Sequence, residues 1–130
     1  RYKYLIELGN QLPRFSDEQK KDEWKVPGCQ SQVWIIPHYS ENGISFEGDS
    51  DAIIVRGIIA VVLEIFKDKS AQEILDIDVE EIFDKMGLRE HITPNRRSGM
   101  LSMVDKIKYY AAQALKGQNE YSRISGQKDF

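Results

Sequence analysis

The sequence predicts an α+β fold in which a small antiparallel sheet of about three strands packs against helices. Three observations support this prediction: apolar residues at helical spacing near the start of the chain, a pair of apolar segments with strand character, and helix-start signals in the rest of the chain. The predicted order is one helix, two or three strands, and then four helices. Strands grouped apart from helices are typical of the α+β class.

The first predicted helix covers residues 2–12. Leu5, Leu8 and Leu12 are spaced so that they share one face of a helix. Pro13 follows directly, and it lacks the backbone N–H that a continuing helix would need. We therefore expect an amphipathic helix that ends at this proline.

Two short apolar segments next have strand character. Residues 33–36 are rich in β-branched side chains, and residues 43–48 alternate apolar and polar side chains. The residues between them, Ser-Glu-Asn-Gly at 40–43, favour a turn, which predicts an antiparallel hairpin. Residues 24–26 are a candidate third strand.

A long apolar run follows the hairpin at residues 52–66. Its 15 residues exceed the usual length of a strand, so we interpret it as a buried helix. The run is too short to span a bilayer, and it contains two charged residues. Asp49, Ser50 and Asp51 precede it and favour an N-cap. Gly57 in its middle costs about 1 kcal/mol relative to Ala, for which close packing against another element is the usual compensation.

Three further helices begin at capping signals. These signals are Ser70 with Glu73, Asp78 with Glu81, and Thr93 before Pro94. The second of these helices is expected to end at Gly87. The apolar stripe of the last helix consists of Met100, Met103, Val104, Ile107, Ala111, Ala114 and Leu115. Residues 117–130 lack such a stripe, so we expect a single domain at residues 1–116 followed by a disordered tail.

The composition narrows the class of function. The chain has 130 residues, of which 41% are hydrophobic and 30% are charged, as expected for one globular domain. Its formal net charge of −3 argues against a broad nucleic-acid footprint, and no polybasic membrane signal is present in the sequence. A single cysteine forms no intramolecular disulfide, which favours a reducing, cytoplasmic location. It is also too few for a Cys-rich zinc site or a self-contained Fe–S site.

That single cysteine, Cys29, follows Pro27 and Gly28. Proline fixes one backbone angle and glycine frees the next position, so this segment is a shaped loop just before the first strand. A cysteine on such a loop is presented to another molecule more easily than one inside a helix. The alternative interpretation, a buried and inert core cysteine, stays open at this point.

The first turn of the last helix carries Asn95, Arg96 and Arg97. A guanidinium group and the amides at a helix N-terminus can stabilise a thiolate or a small anion. Taken alone, a solvated basic turn explains these residues better.

Histidines and aspartates are the remaining candidates for catalysis. A Cys–His hydrolase needs a base within hydrogen-bond reach of the thiol, and no spacing places His38 or His91 beside Cys29. Asp49 and Asp51 are candidates for acid–base catalysis or metal binding. Capping of the following helix explains these two carboxylates better.

Three motifs of the chain resemble those of the SufE-like sulfur-acceptor family. Residues 26–34, Val-Pro-Gly-Cys-Gln-Ser-Gln-Val-Trp, resemble its cysteine motif. Residues 48–57, Gly-Asp-Ser-Asp-Ala-Ile-Ile-Val-Arg-Gly, resemble its second motif. Residues 93–100, Thr-Pro-Asn-Arg-Arg-Ser-Gly-Met, resemble its third. The similarity extends over about residues 2–115, and three motifs in the same order are a specific signal.

The resemblance implies a fold similar to that of the NifU/IscU-like Fe–S scaffold proteins. It also implies that the chain takes persulfide sulfur from a SufS-like cysteine desulfurase, stimulates that enzyme, and delivers sulfur to a downstream Fe–S scaffold complex. Pyridoxal phosphate (PLP) then belongs to the partner desulfurase, and the chain is expected to need no cofactor and no metal of its own. Neither nucleic acid nor a membrane is an expected partner.

The resemblance also implies the residues of the site. Cys29 is the persulfide-forming acceptor, and Arg96 supports it. The other motif residues, expected in the loop or at the partner contact, are Pro27, Gly28, Gln30, Ser31, Asp49, Asp51 and Arg56. Pro27 and Gly28 also motivate the hypothesis that the loop tucks Cys29 against apolar neighbours and swings out on docking.

Two alternative functions stay open at the level of the sequence. One keeps the family but gives the chain a paralogous desulfurase partner and an acceptor outside Fe–S assembly. The other is a non-catalytic interaction module in which Cys29 is part of the core. The sequence also leaves open which desulfurase and which final acceptor are used, and whether the chain forms a homodimer.

Overall fold

A computed structural model describes residues 2–41 and 43–128, without the side chains of Tyr2, His91 and residues 118–128. The order of elements follows the α+β prediction. The helices and strands are α1 (Tyr2–Asn10), β1 (Val33–Ser40), β2 (Gly43–Ser50), α2 (Ile53–Phe66), α3 (Ala71–Asp76), α4 (Val79–Lys85) and α5 (Pro94–Lys128).

The two strands form an antiparallel hairpin whose register runs from Val33 opposite Ser50 to Ser40 opposite Gly43. The predicted third strand is wrong for the described residues. Its segment forms a short 3₁₀ turn at Asp22–Trp24 and only an isolated bridge between Lys25 and Trp34. The Val26 N–H still donates to the Val33 carbonyl, but pairing ends after it because Pro27 and Gly28 form a turn, and proline has no N–H to donate to a ladder.

Helix α2 is the centre of the packing, as its apolar sequence predicted. It contacts α1, β2 and α5, and Ile59 and Val62 on it are completely buried. The expected capping by Asp49 or Asp51 is wrong. The N-cap residue is Ala52, whose side chain has no polar group to cap the helix. Neither aspartate caps it, because both direct their carboxylates at other partners, which are described with the site.

Glycines allow α1 and α2 to lie against each other. A Cβ atom placed on Gly57 would lie 2.2 Å from the Leu5 carbonyl oxygen of α1. A Cβ atom on Gly9 would lie 2.7 Å from the Gly57 backbone nitrogen. The interpretation of Gly57 as a packing glycine is confirmed by these distances.

We expect Gly57→Leu to destabilise the domain by at least about 1–3 kcal/mol, although leucine is the better helix former. The added side chain would overlap the backbone of α1, which cannot move aside without losing its own packing. The denaturant midpoint measures this change. Gly117→Leu on α5 is the matched control, because a Cβ atom there meets nothing within 4 Å. Equal midpoints for both variants and the wild type would contradict the packing role.

The predicted helix starts after α2 are also found. Ser70 and Glu73 form a complete capping box at α3, and Asp78 accepts a hydrogen bond from the backbone N–H of Glu81 at α4. At the start of α5, the Thr93 hydroxyl accepts a hydrogen bond from the backbone N–H of Arg96. The apolar stripe of α5 is buried at Met100, Met103, Val104, Ile107 and Ala111.

Helix α5 continues to Lys128, through most of the segment for which a disordered tail was expected. Residues 129 and 130 lie outside the described residues. The domain limit at residue 116 therefore stays a prediction. Among the helices that the structure describes, none combines the length and the apolar character needed to cross a membrane.

Candidate functional site

Cys29 lies on a loop between the Lys25 bridge and strand β1. Pro27 and Gly28 form an exposed turn just before it. Gly28 has a φ angle of +82°, in the left-handed region that favours glycine, and a Cβ atom on it would lie 2.8 Å from the Ser102 Oγ of α5. The backbone angle therefore favours glycine beside the cysteine, and a side chain at this position would have to displace the Ser102 hydroxyl.

Hydrogen bonds hold the loop at both ends. At its start, the Val26 N–H donates to the Val33 carbonyl at 2.8 Å. At its end, the Gln32 N–H donates to Asp51 Oδ1 at 3.1 Å, and the Asp51 N–H donates to the Gln32 carbonyl at 3.3 Å. The partner of the Asp51 carboxylate is therefore the Gln32 N–H, and Asp51 connects the loop to the segment that leads into α2.

The Cys29 thiol is half-buried and points at helix α5. Its Sγ donates a hydrogen bond to the Gly99 carbonyl, with a distance of 3.6 Å between sulfur and oxygen. Burial raises the pKa of the Cys29 thiol above its ordinary value. In this conformation the sulfur is therefore held as a neutral thiol, which is a poor nucleophile.

A cleft of about 320 Å³ surrounds this sulfur. Its apolar wall is formed by Val33, Val55, Ile58 and Met103. Its polar rim is formed by Gln30, Ser31, Thr93, Asn95 and Arg96. The cleft therefore has an apolar interior for a sulfur atom and an entrance where a cation and the start of α5 meet.

The two neighbouring arginines have different positions. Arg96 is half-buried and lines the cleft of Cys29. Arg97 turns away towards α4, where its guanidinium forms an ion pair of 2.6 Å with Glu80. Of the two, Arg96 is thus the one that lines the cleft of Cys29.

Asp49 and Arg56 lie inside the protein and not in the lining of the cleft. Arg56 Nε donates to Asp49 Oδ1 at 2.8 Å, and Arg56 Nη2 donates to the Leu12 carbonyl at 2.7 Å. The second carboxylate oxygen of Asp49 accepts the Phe15 N–H at 2.9 Å. This pair fastens the segment after α1 to the hairpin, and neither side chain is exposed to a docking partner.

Histidine has no described role at the cleft. The exposed side chain of His38 pairs with Glu47 across the hairpin, and the side chain of His91 lies outside the described residues. Among the side chains that the structure describes, no three of His, Cys, Asp or Glu come together to hold a metal ion. The structure therefore brings neither a base nor a metal to Cys29 from the part of the chain that it describes.

A larger groove of about 1200 Å³ lies elsewhere, between α1, α2 and the start of β2. Tyr4, Ile44 and Met86 are among the residues that line it, and neither Cys29 nor Arg96 is. Size alone would favour this groove as a site. The chemistry favours the smaller cleft, because only that cleft contains a thiol.

The family model of the Fe–S metabolism associated domain, SufE, matches residues 1–111. The chain belongs to the SufE family. An uncharacterized SufE-like protein of Rhizobium etli is 51% identical over 112 residues, which cover 83% of this chain and 76% of that protein. An uncharacterized SufE-like protein of Rhizobium meliloti is 47% identical over 112 residues, which cover 83% of this chain and 80% of that protein. Membership of the SufE family places the chain in Fe–S metabolism.

The SufE-family fold is also found in a solved structure. The solution structure of a hypothetical protein from Thermus thermophilus has a TM-score of 0.73 to this chain, covering 89% of it and 85% of the other protein. The two sequences are only 18% identical, so this similarity shows the fold alone.

Several residues around the cysteine of this SufE-family chain were not predicted as site residues. They are Val33, Val55, Ile58, Gly99, Ser102 and Met103. Four of them are apolar residues that the sequence pattern assigned to the core, and they line the cleft at the edge of that core. Gly99 was the available signal, because a glycine inside a helix indicates that another part of the chain lies close to it.

Proposed function

We propose that the chain is a covalent sulfur carrier that accepts persulfide sulfur on Cys29 from a PLP-dependent cysteine desulfurase and delivers it for Fe–S cluster assembly. The observation that carries this proposal is the placement of Cys29. The one cysteine of the sequence lies on a loop, half-buried over an apolar cleft, with a family arginine at the entrance. A cysteine of the core would be fully buried, whereas Cys29 is half-buried and lines a cleft.

The proposed transfer is a thiol exchange that balances without an oxidant. The Cys29 thiolate attacks the outer sulfur of the persulfide on the desulfurase cysteine. A new S–S bond forms at Cys29 while the S–S bond of the desulfurase breaks, and the desulfurase cysteine leaves as a thiolate. The proton of the Cys29 thiol is released to solvent or to the partner. Sulfane sulfur is moved, and neither protein is oxidised or reduced overall.

The half-buried conformation of Cys29 corresponds to the resting state in this proposal. A thiol with a raised pKa that donates to the Gly99 carbonyl reacts slowly with solutes and oxidants. Docking of the desulfurase would favour a second state in which the loop swings out and the thiol ionises. The backbone of Pro27 and Gly28 is suited to such a hinge, and the bonds between Gln32 and Asp51 limit the movement to the loop.

Arg96 is proposed to stabilise the charge that develops on sulfur during transfer. We expect Arg96→Ala to keep the fold and to lower the rate of sulfur acceptance by about tenfold or more, as loss of a charge-stabilising group does in other active sites. Arg97→Ala is the matched control. It removes the same charge one residue away, from a side chain that is paired with Glu80. The measurement is the rate at which the chain gains sulfur from a desulfurase supplied with cysteine. Equal rates for both variants would leave Arg96 as part of a solvated basic turn.

The proposed function itself is tested by desulfurase turnover. The chain is added to the cysteine desulfurases of its cell one at a time, with cysteine as the substrate. We expect one of them to release sulfur faster when the chain is present. No stimulation of any desulfurase would contradict the proposal. Stimulation with transfer to an acceptor outside Fe–S assembly would favour the paralogous partner.

A further inference from the structure

Two small residues of α5 form the surface on which the Cys29 loop rests. Gly99 and Ser102 are three positions apart and therefore share one face of the helix. Gly99 contacts the cysteine. The Gly99 carbonyl accepts a hydrogen bond from the Cys29 thiol, and a Cβ atom on Gly99 would lie 3.6 Å from Sγ. Ser102 contacts the preceding residue, since its Oγ occupies the place beside the missing side chain of Gly28. We call Gly99 and Ser102 the α5 shelf.

A hydrogen bond within α5 orients the side chain of Ser102 beside the loop. Its hydroxyl donates to the Ser98 carbonyl one turn earlier on α5, at 3.1 Å. This bond holds the oxygen against its own helix. The residue is half-buried, and a Cβ atom on Gly28 would meet the Oγ at 2.8 Å but the Ser102 Cβ at 3.7 Å. The Oγ atom is therefore the point at which the loop would first be obstructed.

We propose that Ser102 is a positioning residue for Cys29. Together with Gly99 it sets how closely the loop packs on α5, and therefore the fraction of molecules in which the thiol is half-buried. A methyl group on Gly28 can first be met by rotation of the Ser102 hydroxyl, which then gives up its bond to the Ser98 carbonyl. A larger group at this contact must be accommodated by deformation of the core beneath α5 or by lifting of the loop into solvent. Lifting costs less, because Pro27 and Gly28 are exposed, and because between the bonds at its two ends the loop is held to α5 by the weak hydrogen bond from the Cys29 thiol to the Gly99 carbonyl.

The proposal deepens the proposed function. It rests on that function only in treating the seated loop, which is the loop packed on the α5 shelf, as the resting state of a carrier. Seating itself is measured without any desulfurase. The probe is the rate of Cys29 alkylation by iodoacetamide in the native protein, followed by intact mass over a range of pH. A seated thiol is half-buried and has a raised pKa, whereas a lifted thiol is exposed and its pKa returns towards the ordinary value.

Adding bulk at the contact from either side is expected to lift the loop. Gly28→Ala and Ser102→Leu should each raise the alkylation rate at neutral pH by about tenfold, the effect of modest overpacking on an equilibrium. The midpoint of the rate against pH should fall in both variants. Neither substitution changes Arg96, the charged residue that lines the cleft, or Asp51, which accepts a bond from the end of the loop. Gln113→Leu is the control, because it adds a leucine at an exposed position of α5.

A double-mutant cycle separates a positioning role from a general loss of packing. Ser102→Ala removes the Oγ that the Gly28→Ala methyl would meet, so adding it to Gly28→Ala should bring the alkylation rate back towards the wild type by about threefold or more. The remaining difference is the cost of alanine at a positive φ angle. Circular dichroism verifies that each variant is folded.

Two results would overturn the proposal. One is a Cys29 alkylation rate in Gly28→Ala that does not change when Ser102→Ala is added. This result overturns the proposal even if Ser102→Leu does not fold. The other is a folded Ser102→Leu protein that alkylates with the rate and the pH midpoint of the wild type. Failure of the proposed function is a separate result. In that case the double-mutant cycle would still give the expected alkylation rates, but no desulfurase would load sulfur onto the wild type.

Discussion

Cys29→Ser is expected to abolish sulfur acceptance completely and to remove the stimulation of desulfurase turnover that depends on transfer. Serine nearly preserves the size of the side chain, so the loop and the cleft should stay as they are. A hydroxyl group cannot hold sulfane sulfur, and no other cysteine is present in the sequence to replace the thiol. The measurement is desulfurase turnover with cysteine as substrate, with the wild type and the variant at equal concentrations.

Two controls make the Cys29→Ser result interpretable. The variant should still bind the desulfurase, which is measured by co-elution in gel filtration. Wild-type protein whose thiol has been alkylated should fail in the same way as the variant. A Cys29→Ser protein that stimulates turnover as strongly as the wild type would make the chain an allosteric activator and not a carrier.

Arg56→Leu is expected to have the largest effect on stability. It removes one partner of a buried ion pair in which Arg56 and Asp49 are 4% and 1% exposed, respectively. The carboxylate of Asp49 would then stay in the interior without its cation, which costs about 3–5 kcal/mol. The denaturant midpoint should fall accordingly, and the total stability of a domain of this size is only about 5–15 kcal/mol.

The origin of that cost is tested by a second substitution. Asp49→Leu combined with Arg56→Leu leaves no unpaired charge, so the double variant should be more stable than Arg56→Leu alone. Lys85→Ala is the control, because it breaks an exposed ion pair with Glu81 and should hardly change the midpoint. A double variant that is less stable than Arg56→Leu would show that the packing of the two side chains, and not the buried charge, determines the loss.

The features that the sequence predicted are those that depend on neighbouring residues. The capping box of Ser70 and Glu73 and the hydroxyl cap of Thr93 are satisfied within three positions along the chain. The hairpin follows from two adjacent segments and the turn between them. The loop of Cys29 was expected from Pro27 and Gly28, and its backbone has the positive φ angle that glycine permits.

The features that the sequence did not predict depend on residues far apart along the chain. Asp49 accepts from the Phe15 N–H, 34 residues away, and this contact takes the carboxylate from the helix start where a cap was expected. Cys29 donates to Gly99, 70 residues away, so no local pattern could identify the carbonyl that holds the thiol. Trp24 and Val26 have strand propensity, but the turn at Pro27 and Gly28 limits the pairing of this segment to an isolated bridge and the bond from the Val26 N–H to the Val33 carbonyl.

The central claim, that Cys29 carries sulfur, is tested most directly by the intact mass of the chain after incubation with its desulfurase and cysteine. We expect the wild type to gain the mass of one sulfur atom, dithiothreitol to remove the gain, and the Cys29→Ser variant to gain nothing. A wild-type chain whose mass is unchanged while the desulfurase turns over faster in its presence would show that Cys29 does not carry sulfur.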